Sequence, residues 1–176
     1  MSSPIRVGIG YDIHRLVPDP AVAASAALAE SARPLVLAGV EIPHSRGPLA
    51  HSDGDVVLHA VADAILGAAG LGDLGEHFPD TDPQWAGIAS RLILGRVVEM
   101  AREAGWAPAS ADVNVLLERP KLGAYKDAMR RRLAETLGVP ADAVGMKART
   151  METMGPVGEG LAVAAQAVVV LEMRQL

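Results

Sequence analysis

The chain contains no cysteine. That excludes disulfides and thiolate metal sites, so any metal held here must be held by imidazole and carboxylate. Aromatic residues are almost as scarce, with one Phe, two Trp and two Tyr among 176 residues. The core must therefore be assembled from Ala, Val, Leu and Ile, which suits helices lying close on a sheet. Basic charge is also short: 16 Lys and Arg stand against 21 Asp and Glu, a formal net charge of -5. A nucleic-acid binder needs a basic face to displace counterions from phosphates, so that class is excluded, while local cations can still hold a small anionic substrate. No apolar run reaches the roughly 18–20 residues that span a bilayer. The nearest, Leu161 to Leu171, stops at Glu172 and reads as a buried strand. The opening MSSPIRVGIGYDIHRL lacks the basic start and apolar run of a secretory signal, and the expected compartment is the cytoplasm. Neither an internal repeat nor a second domain is visible, so residues 1–176 are expected to form one domain.

What is present is a succession of clear periods. Ile5, Val7 and Ile9 alternate with Arg6, Gly8 and Gly10, predicting a strand that runs towards Asp12. Residues 17–33 are rich in Ala and Pro and read as a surface insertion. Leu35 to Ile42 predicts a small hairpin turning at Ala38 and Gly39. Val57, Leu58, Val61, Ile65 and Leu66 recur at helical spacing, predicting a helix from Asp55 to Ala69 ended by Gly70 or Gly72. Further helices are expected over Ile88–Ala104 and Tyr125–Leu137, closed by Gly105 and Gly138, and residues 71–85 read as a polar loop. Strands are expected at Val113–Leu117, Val144–Thr150 and Leu161–Leu171. The expected fold is α/β (α+β): a two-layer sandwich with a mixed four-stranded sheet, helices on one face and a small hairpin. A bare apolar sheet face is an association surface, so a homo-oligomer is expected.

Chemistry concentrates near the first strand and the first helix. Asp12 and His14, two apart on a strand, share a face, and His59 interrupts the apolar stripe of the helix. Three nitrogen and oxygen ligands with a fourth position open describe a catalytic zinc site. The same residues could instead form a strand-end hydrogen bond and a satisfied core histidine. AHSDGD, residues 50–55, puts His51, Ser52, Asp53 and Asp55 ahead of the helix, where backbone N–H groups favour an anion such as phosphate. Simple capping is the alternative. Asp63, four residues past His59, either supports that histidine or accepts an N–H elsewhere. Taken alone, Asp73, Asp80 and Asp82 read as turn residues, and Lys121 and Arg149 as solvated charges.

GYDIHRL, AHSDGDVVLHAVADAILGAAGLGDLGEHFPDTDP, ERPKL and the late GEG together resemble the 2-C-methyl-D-erythritol 2,4-cyclodiphosphate synthase family of the non-mevalonate isoprenoid pathway. The resemblance covers nearly the whole chain apart from residues 17–33. It implies a homotrimer that packs its sheets around a three-fold axis, with active sites between subunits. The reaction implied is that of a metal-dependent, cyclising phosphorus-oxygen lyase. The 2-phosphate of 4-diphosphocytidyl-2-C-methyl-D-erythritol 2-phosphate attacks its own β-phosphate and CMP leaves.

By the same resemblance Asp12, His14 and His59 hold zinc, and Glu152 ligates magnesium or manganese on the substrate diphosphate. His51, Ser52 and Thr150 are implied as catalytic, and Asp12, His14, Arg149, Thr150 and Glu152 as facing the phosphates. Asp73 and Gly75 would bind ribose, and Phe78, Pro79, Asp80, Thr81 and Asp82 the methylerythritol. Leu117, Pro120, Leu122 and Gly123 would wrap the cytosine with backbone groups, and Lys121 would lie near the phosphates. Two departures stand out. The text RTMETMGPVGEG lacks the family's aromatic residue and arginine ahead of GEG, so the axial cavity is not expected to hold an isoprenoid diphosphate. Arg149 and Met151 replace two hydroxyl residues, leaving Arg149 to supply a charge-assisted hydrogen bond.

Overall fold

The computed structural model describes residues 4–18 and 33–174. Residues 19–32, most of the expected insertion, lie outside them. Strand β1 spans Ile5–Pro18, β2 Val36–Leu37, β3 Val40–Glu41, β4 Arg46–Pro48, β5 Trp106–Leu116, β6 Val144–Arg149 and β7 Ala162–Met173. The helices are α1 (Val56–Ala69), the single turn α2 (Leu74–His77), α3 (Ser90–Glu103), α4 (Lys126–Leu137) and the short α5 (Gly155–Gly158).

The main sheet is five-stranded in the order β4-β1-β7-β5-β6. The four expected strands are all present, and the addition is the short edge strand β4, three residues beginning at Arg46 that alternation could not reveal. Only β5 and β6 pair in parallel, because α4 provides the crossover that a parallel connection requires. β1 continues through Val17 and Pro18, which the sequence assigned to the insertion, because its last residues pair with β4. β2 and β3 form the expected hairpin, with Ala38 and Gly39 both at positive φ.

Helix α1 is apolar on almost every side, with eleven of its positions buried from Val56 to Ala69, and it lies on β1 and β7 beside α3. Two glycines permit that closeness. A Cβ on Gly8 would stand 1.8 Å from the Ala64 carbonyl oxygen, and one on Gly10 would stand 1.9 Å from that of Ala60. The face of β1 that packs on the helix is thus its glycine face. Gly10→Ala is expected to cost about 3 kcal/mol, read as a lower urea midpoint at unchanged slope, since backbone rather than a flexible side chain must yield. Arg6 secures the other end of α1, donating to the carbonyls of Ala68 and Ala69 while stacking on Trp106.

On the opposite face of the sheet the short α5 packs Val157 on Ala162 and Ala164 at the start of β7, and among the described residues no helix lies over β1. Ile5, Val7, Ile9, Tyr11 and Ile13 project there, between 44% and 66% exposed, with Val168 beside Ile9. The apolar half of the first strand's alternation is therefore the uncovered half, as an association surface requires. No helix among the described residues is long and apolar enough to cross a membrane.

Candidate metal centre and substrate clefts

Asp12 and His14 follow Gly8 and Gly10 on the same face of β1, so the approach of α1 brings them against the helix's first turn. There they meet His59. Asp12 Oδ2 lies 2.9 Å from His59 Nδ1 and 3.3 Å from His14 Nε2, and the two ring nitrogens lie 3.3 Å apart. Ligands about 2.0 Å from a tetrahedral zinc ion stand about 3.3 Å from one another. The three atoms form one face of such a tetrahedron, and the nitrogen and oxygen donor set suits zinc or a similar divalent ion.

The electrostatics are those of a carboxylate paired with a histidine that holds its proton. Burial by itself would raise the Asp12 carboxyl, but the hydrogen bond from His59 and the charges of His14 and His59 hold it below its ordinary value. Burial would lower His59, yet the Asp12 hydrogen bond and the carboxylates of Asp12, Asp55 and Asp53 prevail and raise it. Burial pushes His14 down, overcoming the attraction of Asp12, with His59 adding to the shift. A metal must displace the His59 proton. Zinc affinity is therefore expected to rise with pH up to and through the raised His59 value, by about tenfold per pH unit for each proton displaced, as measured with a competing chelator.

A cleft of about 310 Å³ opens over these residues, lined by His14, His59, His51, Ser52, Phe78 and Asp80, with Trp85 edge-on to Phe78. His51 bonds the Asp82 carbonyl through Nε2 at 3.2 Å, fixing its ring at the rim. Asp73 caps α2 by accepting from the Glu76 N–H, which leaves Asp73 and Gly75 exposed beside the opening. Asp82 caps the turn Pro83–Trp85, with Pro79 and Thr81 in the connecting segment. The polar loop expected over residues 71–85 thus contains one short helix and one 3-10 turn, each started by an aspartate.

A second cleft of about 430 Å³ lies across the sheet, lined by Leu117, Lys121, Leu122, Gly123, Arg149, Thr150 and Glu152, with Pro120 in the same segment. Glu152 and Thr153 both have positive φ, 50° and 64°, a conformation that non-glycine residues rarely adopt outside functional turns. Thr150 donates to the Glu152 carboxylate, and Glu118 receives the Met151 N–H, holding this turn against the 117–123 segment. The strands carrying the two clefts are three places apart, about 14 Å at ordinary strand spacing. The expected site residues therefore fall into two groups on opposite edges of one sheet.

Two readings of the 50–63 segment are decided by these contacts. The start of α1 does not offer its N–H groups to a phosphate. Asp55, fully buried, takes those of Val57 and Leu58 as well as those of Ala38 and Gly39, and so joins helix to hairpin. Burial raises its carboxyl to about 6 against the opposition of those same N–H groups. Asp63 does not reach His59; it accepts the Leu74 N–H at 2.8 Å and anchors the loop that carries Asp73. Residues missed from the sequence are Ser90, Trp85 and Glu118. Ser90 sits 2.8 Å from His59, and the only signal for it was a serine at the start of a helix.

The sequence profile of the YgbB family matches residues 5–172. The chain belongs to the YgbB family. It is 53% identical over 163 residues to the 2-C-methyl-D-erythritol 2,4-cyclodiphosphate synthase of Salinibacter ruber, covering 93% of this chain and 96% of that protein. To the enzyme of the same name from Symbiobacterium thermophilum it is 51% identical over 168 residues, covering 96% and 99% respectively. Among solved structures of the family, a 2C-methyl-D-erythritol-2,4-cyclodiphosphate synthase in its CDP-bound form superposes with a TM-score of 0.81 at 38% identity, over 95% of this chain and all of that one. The bifunctional IspDF of Campylobacter jejuni superposes with a TM-score of 0.87 at 37% identity, over 99% of this chain and 44% of that longer protein.

Proposed function

We propose that this chain converts 4-diphosphocytidyl-2-C-methyl-D-erythritol 2-phosphate to 2-C-methyl-D-erythritol 2,4-cyclodiphosphate and CMP, in isoprenoid precursor biosynthesis. The observation that carries the reading is the convergence of Asp12, His14 and His59 beside a cleft that His14 and His59 line together with His51, Ser52 and Phe78. The family relationship gives that site its substrate.

Zinc at this triad, with magnesium or manganese at Glu152, would supply charge neutralisation and orientation of the diphosphate. The chain's own groups do the rest by positioning. Ser52 presents a hydroxyl and His51 an imidazole to the phosphates, while Phe78 and Trp85 give the methylerythritol carbons an apolar wall. In the second cleft Lys121 and Arg149 furnish cations, and the 117–123 segment takes the base. Since the attacking oxygen belongs to the substrate, holding both ends of one molecule in line is the main catalytic task, and no protein nucleophile is needed.

Two half-sites on opposite edges of the sheet fit an assembly in which the β6 edge of one chain meets the β1 edge of the next. A closed three-fold ring completes each site in this way and covers the apolar face of β1. The test is to incubate the purified protein with the cytidyl substrate, with and without chelator, and follow the products by phosphorus NMR. A cyclic diphosphate together with CMP is expected. Failure to release CMP with metals present overturns the assignment, and an open-chain phosphate product would mean that water attacks instead.

A further inference from the structure

His59 faces two different environments with its two ring nitrogens. Nδ1 looks towards Asp12 and His14, while Nε2 looks towards Ser90 Oγ at 2.8 Å and Ser52 Oγ at 3.2 Å. Ser90 is completely buried at the first position of α3. Its backbone N–H donates to Asp53 Oδ2 at 3.0 Å, and its hydroxyl is hydrogen-bonded to Asp53 Oδ1. Asp53 is itself secured: its carboxylate accepts the Asp55 N–H, and its own N–H donates to the Ile88 carbonyl.

The direction of these bonds follows from which atoms carry hydrogen. An ionised carboxylate can only accept, so the Ser90 hydroxyl hydrogen is committed to Asp53. Ser90 Oγ then has only a lone pair to offer His59. Nε2 must therefore carry a hydrogen, so the proton that a metal displaces is the one Nδ1 donates to Asp12, and Nδ1 is the nitrogen whose lone pair then serves the metal. Ser52 Oγ meanwhile accepts the Gly54 N–H at 3.1 Å, and its hydrogen is not required by His59.

We propose that Asp53 and Ser90 are positioning residues: a buried relay, Asp53 to Ser90 to His59, that sets the tautomer and ring plane of His59, presents Nδ1 to zinc and leaves the Ser52 hydroxyl free to donate to substrate. The proposal rests on the metal reading of the Asp12, His14 and His59 triad. Its partners come from three separate segments, the 50–55 loop, α1 and the start of α3. Neither Asp53 nor Ser90 touches the metal position.

Asp53→Asn is the discriminating variant, because it keeps the shape and changes only the hydrogen bookkeeping. With Oδ1 accepting the Ser90 N–H, the new amide donates to Ser90 Oγ. The Ser90 hydroxyl then turns to His59 Nε2, the nearer acceptor at 2.8 Å against 3.4 Å for Ser52 Oγ, which moves the ring hydrogen onto Nδ1, the nitrogen needed for zinc. Zinc affinity, measured by chelator competition, is expected to fall by about 10- to 100-fold, the range found when partners behind metal ligands are removed. Ser90→Ala should lose about tenfold, and Ser90→Thr, which keeps the hydroxyl, should restore the affinity.

Nitrogen NMR of the unmutated, zinc-loaded protein provides a test independent of any variant's folding: His59 should show a hydrogen on Nε2 and none on Nδ1. Ligation through Nε2 would overturn the relay. So would an Asp53→Asn protein that folds and binds zinc within twofold of the parent. If the unmutated chain itself fails to bind zinc, the metal reading falls and the relay falls with it; equal binding by parent and variants removes the relay alone.

Discussion

His59→Ala is expected to abolish stoichiometric zinc binding and to slow CMP release by at least about a thousandfold, the loss of several kcal/mol of charge stabilisation at the reacting phosphates. The reason is geometric. Asp12 Oδ2, His14 Nε2 and His59 Nδ1 form a triangle with edges of 2.9 to 3.3 Å, and deleting one corner leaves two ligands that cannot define a tetrahedral face. His59 is also the corner held from behind, by Ser90 and Ser52, so its loss removes the N–H that both hydroxyl oxygens face. Stability should change much less than activity. In the metal-free protein the Asp12 carboxylate loses its hydrogen bond to His59, but its side chain is 24% exposed and water can replace that partner. Metal analysis and CMP release on the same preparation check the result. A variant that keeps one zinc per chain and releases CMP at the parent rate would show that the triad is a hydrogen-bonded cluster without a metal role.

That triad was legible in the sequence only as a pattern with two meanings. D-x-H on a strand and a histidine in an apolar helix fit a metal site and a pair of satisfied polar residues equally well. The ambiguity is resolved by the distance between β1 and α1, which depends on Gly8 and Gly10, positions that in sequence look merely like the polar half of an alternation. The helices were the most readable elements, since Gly70 and Gly138 end α1 and α4 in the left-handed conformation that glycine adopts without strain. Strand β4 and the short turns α2 and α5 were not readable, because segments of three or four residues contain no full period. Ser90 was hidden for a different reason. Its partners Asp53 and His59 lie 37 and 31 residues away, and no local rule links a helix-start serine to either of them. The division of the expected site residues into two clefts also depends on strand order, since β7 enters the sheet between β1 and β5 although it comes last in the chain.

Strand order also sets the outcome of a change on the bare face. Ile9→Asp should convert the assembly to monomers and lower CMP release by about a hundredfold or more, while each chain keeps its zinc at unchanged affinity. Within a single chain Ile9 is 66% exposed and points away from α1, so an aspartate there is solvated and monomer stability should move by no more than about 0.5 kcal/mol. Against a second copy the same carboxylate would be buried among Val7, Tyr11 and Val168 with no cation among them, which an interface cannot tolerate. Zinc survives because Asp12, His14 and His59 belong to one chain and face the helices, not the bare sheet surface. In the proposed ring turnover does not survive, because there the Lys121 and Glu152 cleft of a neighbour completes the site over the triad. Sedimentation, zinc titration and CMP release on one variant separate the possibilities. A zinc-loaded monomer without turnover supports sites shared between chains, whereas a fully active monomer would place the whole reaction within one chain and remove the reason for the ring.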